Sequence, residues 1–261
     1  MRYFRLLALF LKSNLLMELE YRANFVAQAT LGVVWAGIAF ISVAVFFTQT
    51  EALGGWTYEQ ALIIVALSTI IEGAIQLMLQ PNVARIVQMV REGTMDFVLT
   101  KPVNSQFLAT LRYARYSGLA DIAAGVGIML FALGRAGYAP GAAAIAQFAL
   151  MFAAALVIVY SIWLLMAALS FWFVKIDNLT ELFRALFDTA RFPVSTFPGL
   201  VRILLTFVLP IAFMTTFPAQ AVLGRLDAAM TIVAVMLAGL LFAFSAWFWR
   251  RAVLSYSSAS S

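Results

Sequence analysis

The chain has 261 residues, of which 64% are hydrophobic and only 11% charged, and its mean hydropathy is +0.96. That is far more apolar and less charged than a soluble domain, and it describes an integral membrane protein. With no cysteine and no histidine, disulfides, thiol nucleophiles, the usual zinc and haem ligand sets and Ser-His-Asp chemistry are excluded.

Residues 1–23 read as an amphipathic lead-in, with Phe4, Leu7, Leu11, Leu15 and Leu19 on one face and Arg2, Arg5, Lys12, Glu18, Glu20 and Arg22 interspersed. Acids within the segment and the length of the apolar run that follows argue against a cleaved signal peptide. An N-terminal interfacial helix on the cytoplasmic leaflet is expected. Residues 24–48 form the first span, long enough for the ~20 apolar residues that a bilayer requires. A short acidic loop with Glu51 and Glu59 ends in Trp56 and Tyr58, aromatic anchors at interface depth. The second span covers about residues 60–80.

Residues 81–107 are the longest polar interruption between apolar segments. Val83, Ile86, Val87 and Val90 recur at helical spacing. Gly93 ends that helix, and Thr94 is placed to cap a second, very short one. Asp96 falls in its first turn and Lys101 in its last, each on the side the helix dipole favours, and Pro102 stops it. The expected product is a brief helix displaying Met95, Phe97, Val98 and Leu99. Spacing alone favours a loop helix lying on lipid headgroups; seating in another protein's groove is the alternative.

The third span runs from about 116 to 133, followed by a tight turn that carries Arg135. The fourth covers about 142–174, too long to cross upright. Residues 175–192 then present two readings. One helical stripe is Leu179, Leu182, Phe183, Leu186 and Phe187, and the other is Glu181, Arg184, Asp188 and Arg191. Each charge at bilayer centre costs roughly 2.5–3.5 kcal/mol on insertion scales, so hydropathy favours a cytoplasmic interfacial helix. The fifth span is then 199–217, kinked at Pro210, and the sixth 228–249. In the alternative, 175–192 is itself a polar-faced span, and the proline-punctuated residues 193–226 are a re-entrant hairpin buried in protein. Both give an all-α protein of six crossings within residues 24–251, with a disordered cytoplasmic tail at 252–261. On the hydropathy reading every lysine and arginine except Arg135 and Arg225 lies inside, so both termini are expected in the cytoplasm. The net charge of +5 is thereby spent on topology rather than on nucleic acid.

No nucleotide-binding or hydrolase motif is present. Two acids fall at membrane depth. Glu72 has Gln76 and Gln80 below it on the same side, and Asp121 lies above Arg112 and Arg115. Intramembrane ionisable groups face a bundle interior or water. A candidate translocation path therefore comprises Glu72, Gln76, Asp121, Glu181, Arg184 and Asp188, with Asp121 expected to pair with an arginine. Gly125, Gly127 and the Ala-rich fourth span read as close-packing faces. A secondary transporter or channel of six helices is the competing class, although no repeat relates the two halves.

The segment V-R-E-G-T-M-D-F-V-L-T-K-P-V-N-S-Q-F, residues 90–107, resembles the cytoplasmic coupling segment of bacterial ABC-2-type permeases. R-F-P-V-S-T-F-P-G-L-V-R-I-L-L-T-F-V-L-P-I-A-F-M-T-T-F-P-A, residues 191–219, is similar to the proline-rich region before the last span in that subfamily. The resemblance implies an exporter permease of the inner membrane that is not itself an enzyme and carries no cofactor. ATP and Mg would be bound by a separate pair of cytoplasmic ATPase subunits, and a second permease, identical or paralogous, would complete the assembly. It implies further that Arg91, Glu92, Gly93, Thr94, Met95, Asp96, Phe97, Val98, Leu99, Lys101 and Pro102 contact the ATPase, and it favours the re-entrant alternative for 193–226.

Overall fold

The computed structural model describes residues 2–173, 185 and 187–256. Among these the regular structure is helical, apart from one antiparallel bridge between Leu53 and Trp56. In chain order the helices are α1 (Arg2–Glu20), α2 (Arg22–Phe47), α3 (Tyr58–Ala74), α4 (Gln80–Arg91), α5 (Asp96–Leu99) and α6 (Ser105–Thr110). They are followed by α7 (Gly118–Arg135), α8 (Ala142–Leu169), α9 (Gly199–Ile203), α10 (Phe217–Val222) and α11 (Ala228–Leu254). Five stretches among the described residues are long and apolar enough to cross a membrane: α2, Tyr58–Arg91, α7, α8 and α11. Gly199–Val208 and Ala212–Val222 form a further apolar pair, bent by 72°.

The closest helix packing joins α3 to α7, and small residues permit it. A methyl group at Gly73 would stand 2.7 Å from the carbonyl oxygen of Gly118, and one at Gly118 would stand 2.6 Å from that of Gly73. At Gly125 it would stand 2.8 Å from the carbonyl of Ala66. Lipid supplies no hydrophobic drive between helices, so backbone approach of this kind is what holds them. Gly125 thus fulfils the close-packing expectation, whereas Gly127 faces open space. On the other side of the bundle α8 packs along α11 through Ala-rich faces, with Ala154, Ala155, Ala234 and Ala238 buried.

The second span continues beyond residue 80. It passes through a π turn, Ile75–Leu79, directly into α4. Pro81 explains the turn: it has no N–H, and its ring crowds the carbonyl four residues back. That carbonyl, Leu77 O, accepts the backbone N–H of Arg115 at 2.8 Å instead.

Two ends of the bundle follow from the connections. The proximal end carries residues 80–116 together with the C-termini of α8 and α11, where Trp249 Nε1 donates to Ser105 Oγ at 3.3 Å. The distal end carries residues 48–57, the start of α3 and the start of α11. Ser195 lies at the distal end, donating to the Gly54 carbonyl at 2.8 Å and accepting from Trp56 Nε1 at 3.2 Å. Arg225 lies there too, bonded to Gln60 at 3.0 Å. Both flanks of the bent pair therefore emerge at one end, and 193–226 is a re-entrant hairpin that turns at Leu209 and Pro210.

This corrects the hydropathy reading, in which 199–217 crossed the membrane. The rising limb, Ala212–Val222, is buried against α3 and α8 from Ala212 to Thr216 and again at Pro218, Ala219, Ala221 and Val222. The other limb, Gly199–Val208, is mostly exposed, with only Leu205 buried. Two further expectations change. The fourth span is shorter than expected, ending at Leu169. Residues 252–256, expected in the disordered tail, are structured: α11 continues to Leu254, and Tyr256 packs edge-on against Phe171 with ring centroids 5.9 Å apart, while 257–261 lie outside the described residues.

Candidate functional site

The chain leaves α4 through a left-handed glycine. Gly93 has φ 70°, its N–H meets the Val90 carbonyl at 3.3 Å, and the Thr94 N–H meets the Met89 carbonyl at 2.8 Å. This is the Schellman closure that glycine makes without steric cost. Thr94 does not act as a side-chain cap: its hydroxyl turns back to Met89 O at 3.5 Å.

The four-residue α5 is anchored rather than freely displayed. Met95 is fully buried and Val98 2% exposed, both in the main core cluster, and Leu99 packs against it. Phe97 alone projects, 72% exposed. The expected display of Met95, Val98 and Leu99 is therefore corrected. A single turn sends residues 95, 98 and 99 to one side and leaves residue 97 on the other. Arg91, Glu92, Lys101 and Pro102 surround Phe97 in sequence and are exposed, while Asp96 is half-buried. Tyr256 closes the inner side of this turn: burial, and then the Asp96 carboxylate, push its phenol pKa up.

The surroundings tie this segment to the N-terminus. Arg2 donates to the Pro102 carbonyl at 3.0 Å, and Tyr3 meets Phe107 edge-on at 4.9 Å. Asn14, buried in α1, donates to Arg112 O at 2.8 Å, and Tyr116 donates its hydroxyl to Leu11 O at 2.9 Å. The Tyr116 N–H donates to Glu18 Oε2 at 2.6 Å. Burial first, and Glu18 second, raise the Tyr116 pKa. The face α1 turns to the body is thus Leu7, Leu11, Asn14 and Glu18, while Phe4, Leu15 and Leu19 are exposed. The single stripe expected for α1 is divided between two environments. Periodicity could not identify Asn14 as an anchor, because a lone asparagine carries no sign of its partner.

Within the bundle, α2, α3, α7 and residues 187–191 enclose a cavity of about 500 Å³. It brings Glu72, Gln76, Asp121 and Asp188 together with Gln28, Gln80, Arg115 and Arg191. Gln76 Nε2 donates to Glu72 Oε1 at 3.2 Å, and Arg191 pairs with Asp188 at 3.0 Å. Asp121 is 5% exposed, and a methyl group at Gly32 of α2 would collide with its carboxylate. The arginine partner expected for Asp121 is not found among the described residues; Glu72 is its charged neighbour instead. Glu181 and Arg184 lie outside the described residues. Gln28 and Arg191 went unrecognised as cavity residues. Gln28 sits in an apolar run, and Arg191 belongs to the charged stripe of 175–192, for which hydropathy favours an interfacial helix over a polar-faced span.

Among the described residues no group of acids could hold a metal ion. No match emerged from comparison with curated proteins or with solved structures. A family model described as "ABC-2 family transporter protein" matches residues 33–260, most of the chain, including residues 90–107, the hairpin and the cavity lining except Gln28, Leu31 and Gly32. This chain belongs to the ABC-2 family of transporter proteins.

Proposed function

We propose that the chain is the permease subunit of an ATP-driven exporter that moves a small amphiphilic or hydrophobic compound from the cytoplasm or inner leaflet by alternating access. Family membership implies an ABC ATPase partner. In this reading two ATPase subunits bind ATP and Mg, and a second permease, identical or paralogous, completes the assembly. The protein sits in the bacterial inner membrane with both termini cytoplasmic, because the proximal end gathers Arg85, Arg91, Lys101, Arg112, Arg115, Arg250 and Arg251. α1 lies along the headgroups there.

The observation that carries the reading is Phe97, a large apolar side chain 72% exposed on a turn whose other apolar residues are fixed in the core. A ring held this way suits insertion into a groove of the ATPase. Closure of the ATPase pair then pulls α5, and α4 and the second span follow as one helical unit. Only a difference in ATPase affinity between the two permease states can drive that shift. The test is Phe97→Asp in the complete transporter. The variant is expected to insert normally, to lose the ATPase on purification and to lose transport; retention of the ATPase with normal transport contradicts the reading.

A further inference from the structure

The cavity beside Asp121 has features that select a ligand charge. Asp121 is more than nine-tenths buried, lines the cavity, and receives no hydrogen bond or ion pair from any described side chain. Gly32 leaves the space its carboxylate occupies. Glu72, half-buried and hydrogen-bonded by Gln76, is the neighbouring acid. Of the remaining charges in the lining, Asp188 and Arg191 meet each other at 3.0 Å, and Arg115 is exposed at the proximal mouth. A buried carboxylate that no cation faces is disfavoured by desolvation, and a positive ligand relieves that cost. Trp35, 59% exposed on α2, supplies an aromatic wall, and Leu31, Ala36, Ala39 and Phe187 supply apolar surface. An indole face attracts a cation that has shed its water. The volume of about 500 Å³ falls within the range of small-molecule sites.

We propose that this cavity binds a monovalent organic cation, an ammonium or onium centre on an apolar body, with Asp121 as counter-ion and Trp35 as the flanking ring. The proposal names the substrate class of the permease reading and rests on it for the purpose of the site. The same chemistry is offered by a free lipophilic cation and by the ammonium of a zwitterionic phospholipid. An anion would meet the Asp121 carboxylate directly, and a neutral ligand would leave it uncompensated.

The test is equilibrium binding of tetraphenylphosphonium to the full chain with its ATPase, in phosphatidylglycerol nanodiscs without ATP. Saturable binding is expected, weakened about tenfold or more by Asp121→Asn and about threefold by Trp35→Leu. Trp35 is exposed, so its replacement tests the site even where Asp121→Asn fails to fold. Phe97→Asp, measured beside the unaltered chain with both freed of the ATPase, is expected to leave binding intact, which separates this proposal from the coupling reading: loss of coupling does not touch the cation site. Displacement by added phosphatidylethanolamine assigns the site to a lipid ammonium, and its absence assigns it to a free solute. Absence of saturable binding to the unaltered protein, or equal binding by Asp121→Asn or Trp35→Leu, overturns the proposal.

Discussion

Asn82 and Tyr113 are joined by two reciprocal hydrogen bonds: Asn82 Nδ2 donates to the Tyr113 carbonyl at 2.7 Å, and the Tyr113 N–H donates to Asn82 Oδ1 at 2.9 Å. The same Nδ2 reaches Met78 O at 2.5 Å, beside the carbonyl that Pro81 displaces. One buried amide therefore fixes the π-turned second span to the strap leading into α7.

Removing that amide leaves buried backbone groups without partners, at about 1–3 kcal/mol. Asn82→Ala is expected to lower the melting temperature of the detergent-purified protein by roughly 2–12 °C, on a scale of about 2–4 °C per kcal/mol for a chain of this size. In the complete transporter it is expected to leave ATP hydrolysis running while transport falls. An unchanged melting temperature shows that the amide is not a structural tie.

The contact between α3 and α7 makes a position-specific prediction. Gly118→Ala places a methyl group 2.6 Å from a backbone oxygen, and Gly125→Ala one at 2.8 Å. Backbone cannot swing aside as a side chain can, so each is expected to destabilise by about 1–3 kcal/mol. Gly127→Ala, on the same helix with nothing nearby, is expected to be neutral or slightly stabilising through helix propensity. Thermal unfolding of the three variants in one detergent decides it; equal behaviour contradicts the packing.

The hairpin topology is checked by labelling. The chain has no native cysteine, so single-cysteine variants report cleanly. Ser195→Cys is expected to react with a membrane-impermeant maleimide from the outside of intact cells, and Phe97→Cys only after the inner face is exposed. Labelling of both from one side rules out the re-entrant path.

The sequence made much of this fold legible, and its failures have physical causes. The spans corresponding to α2, α7 and α11 follow from long apolar runs, and the end of α4 follows from Gly93. Hydropathy charges an insertion cost to each residue singly, and most of residues 175–192 lie outside the described residues. Asp188 and Arg191 instead neutralise each other within a cavity, and no window over one segment sees a partner on the same wall. The hairpin was hidden for a related reason: Phe213, Met214, Ala219 and Ala221 are buried in protein, yet they are as apolar as residues that face lipid. Which residues of α5 face outward could not be read from four residues, too few to show a period. Glu72 and Asp121 were identifiable as acids inside apolar runs. Their juxtaposition depends on the Gly73–Gly118 approach and on Gly32, which only three dimensions supply.

The most direct test of coupling uses Phe97→Cys in inside-out vesicles, measuring its rate of reaction with a polar maleimide with and without the bound ATPase. Burial of residue 97 in a partner groove predicts a reaction slowed about tenfold or more when the ATPase is present, while Leu254→Cys, at the exposed end of α11, reacts at an unchanged rate. Equal rates at residue 97 in both conditions, with the ATPase demonstrably bound, would contradict the account.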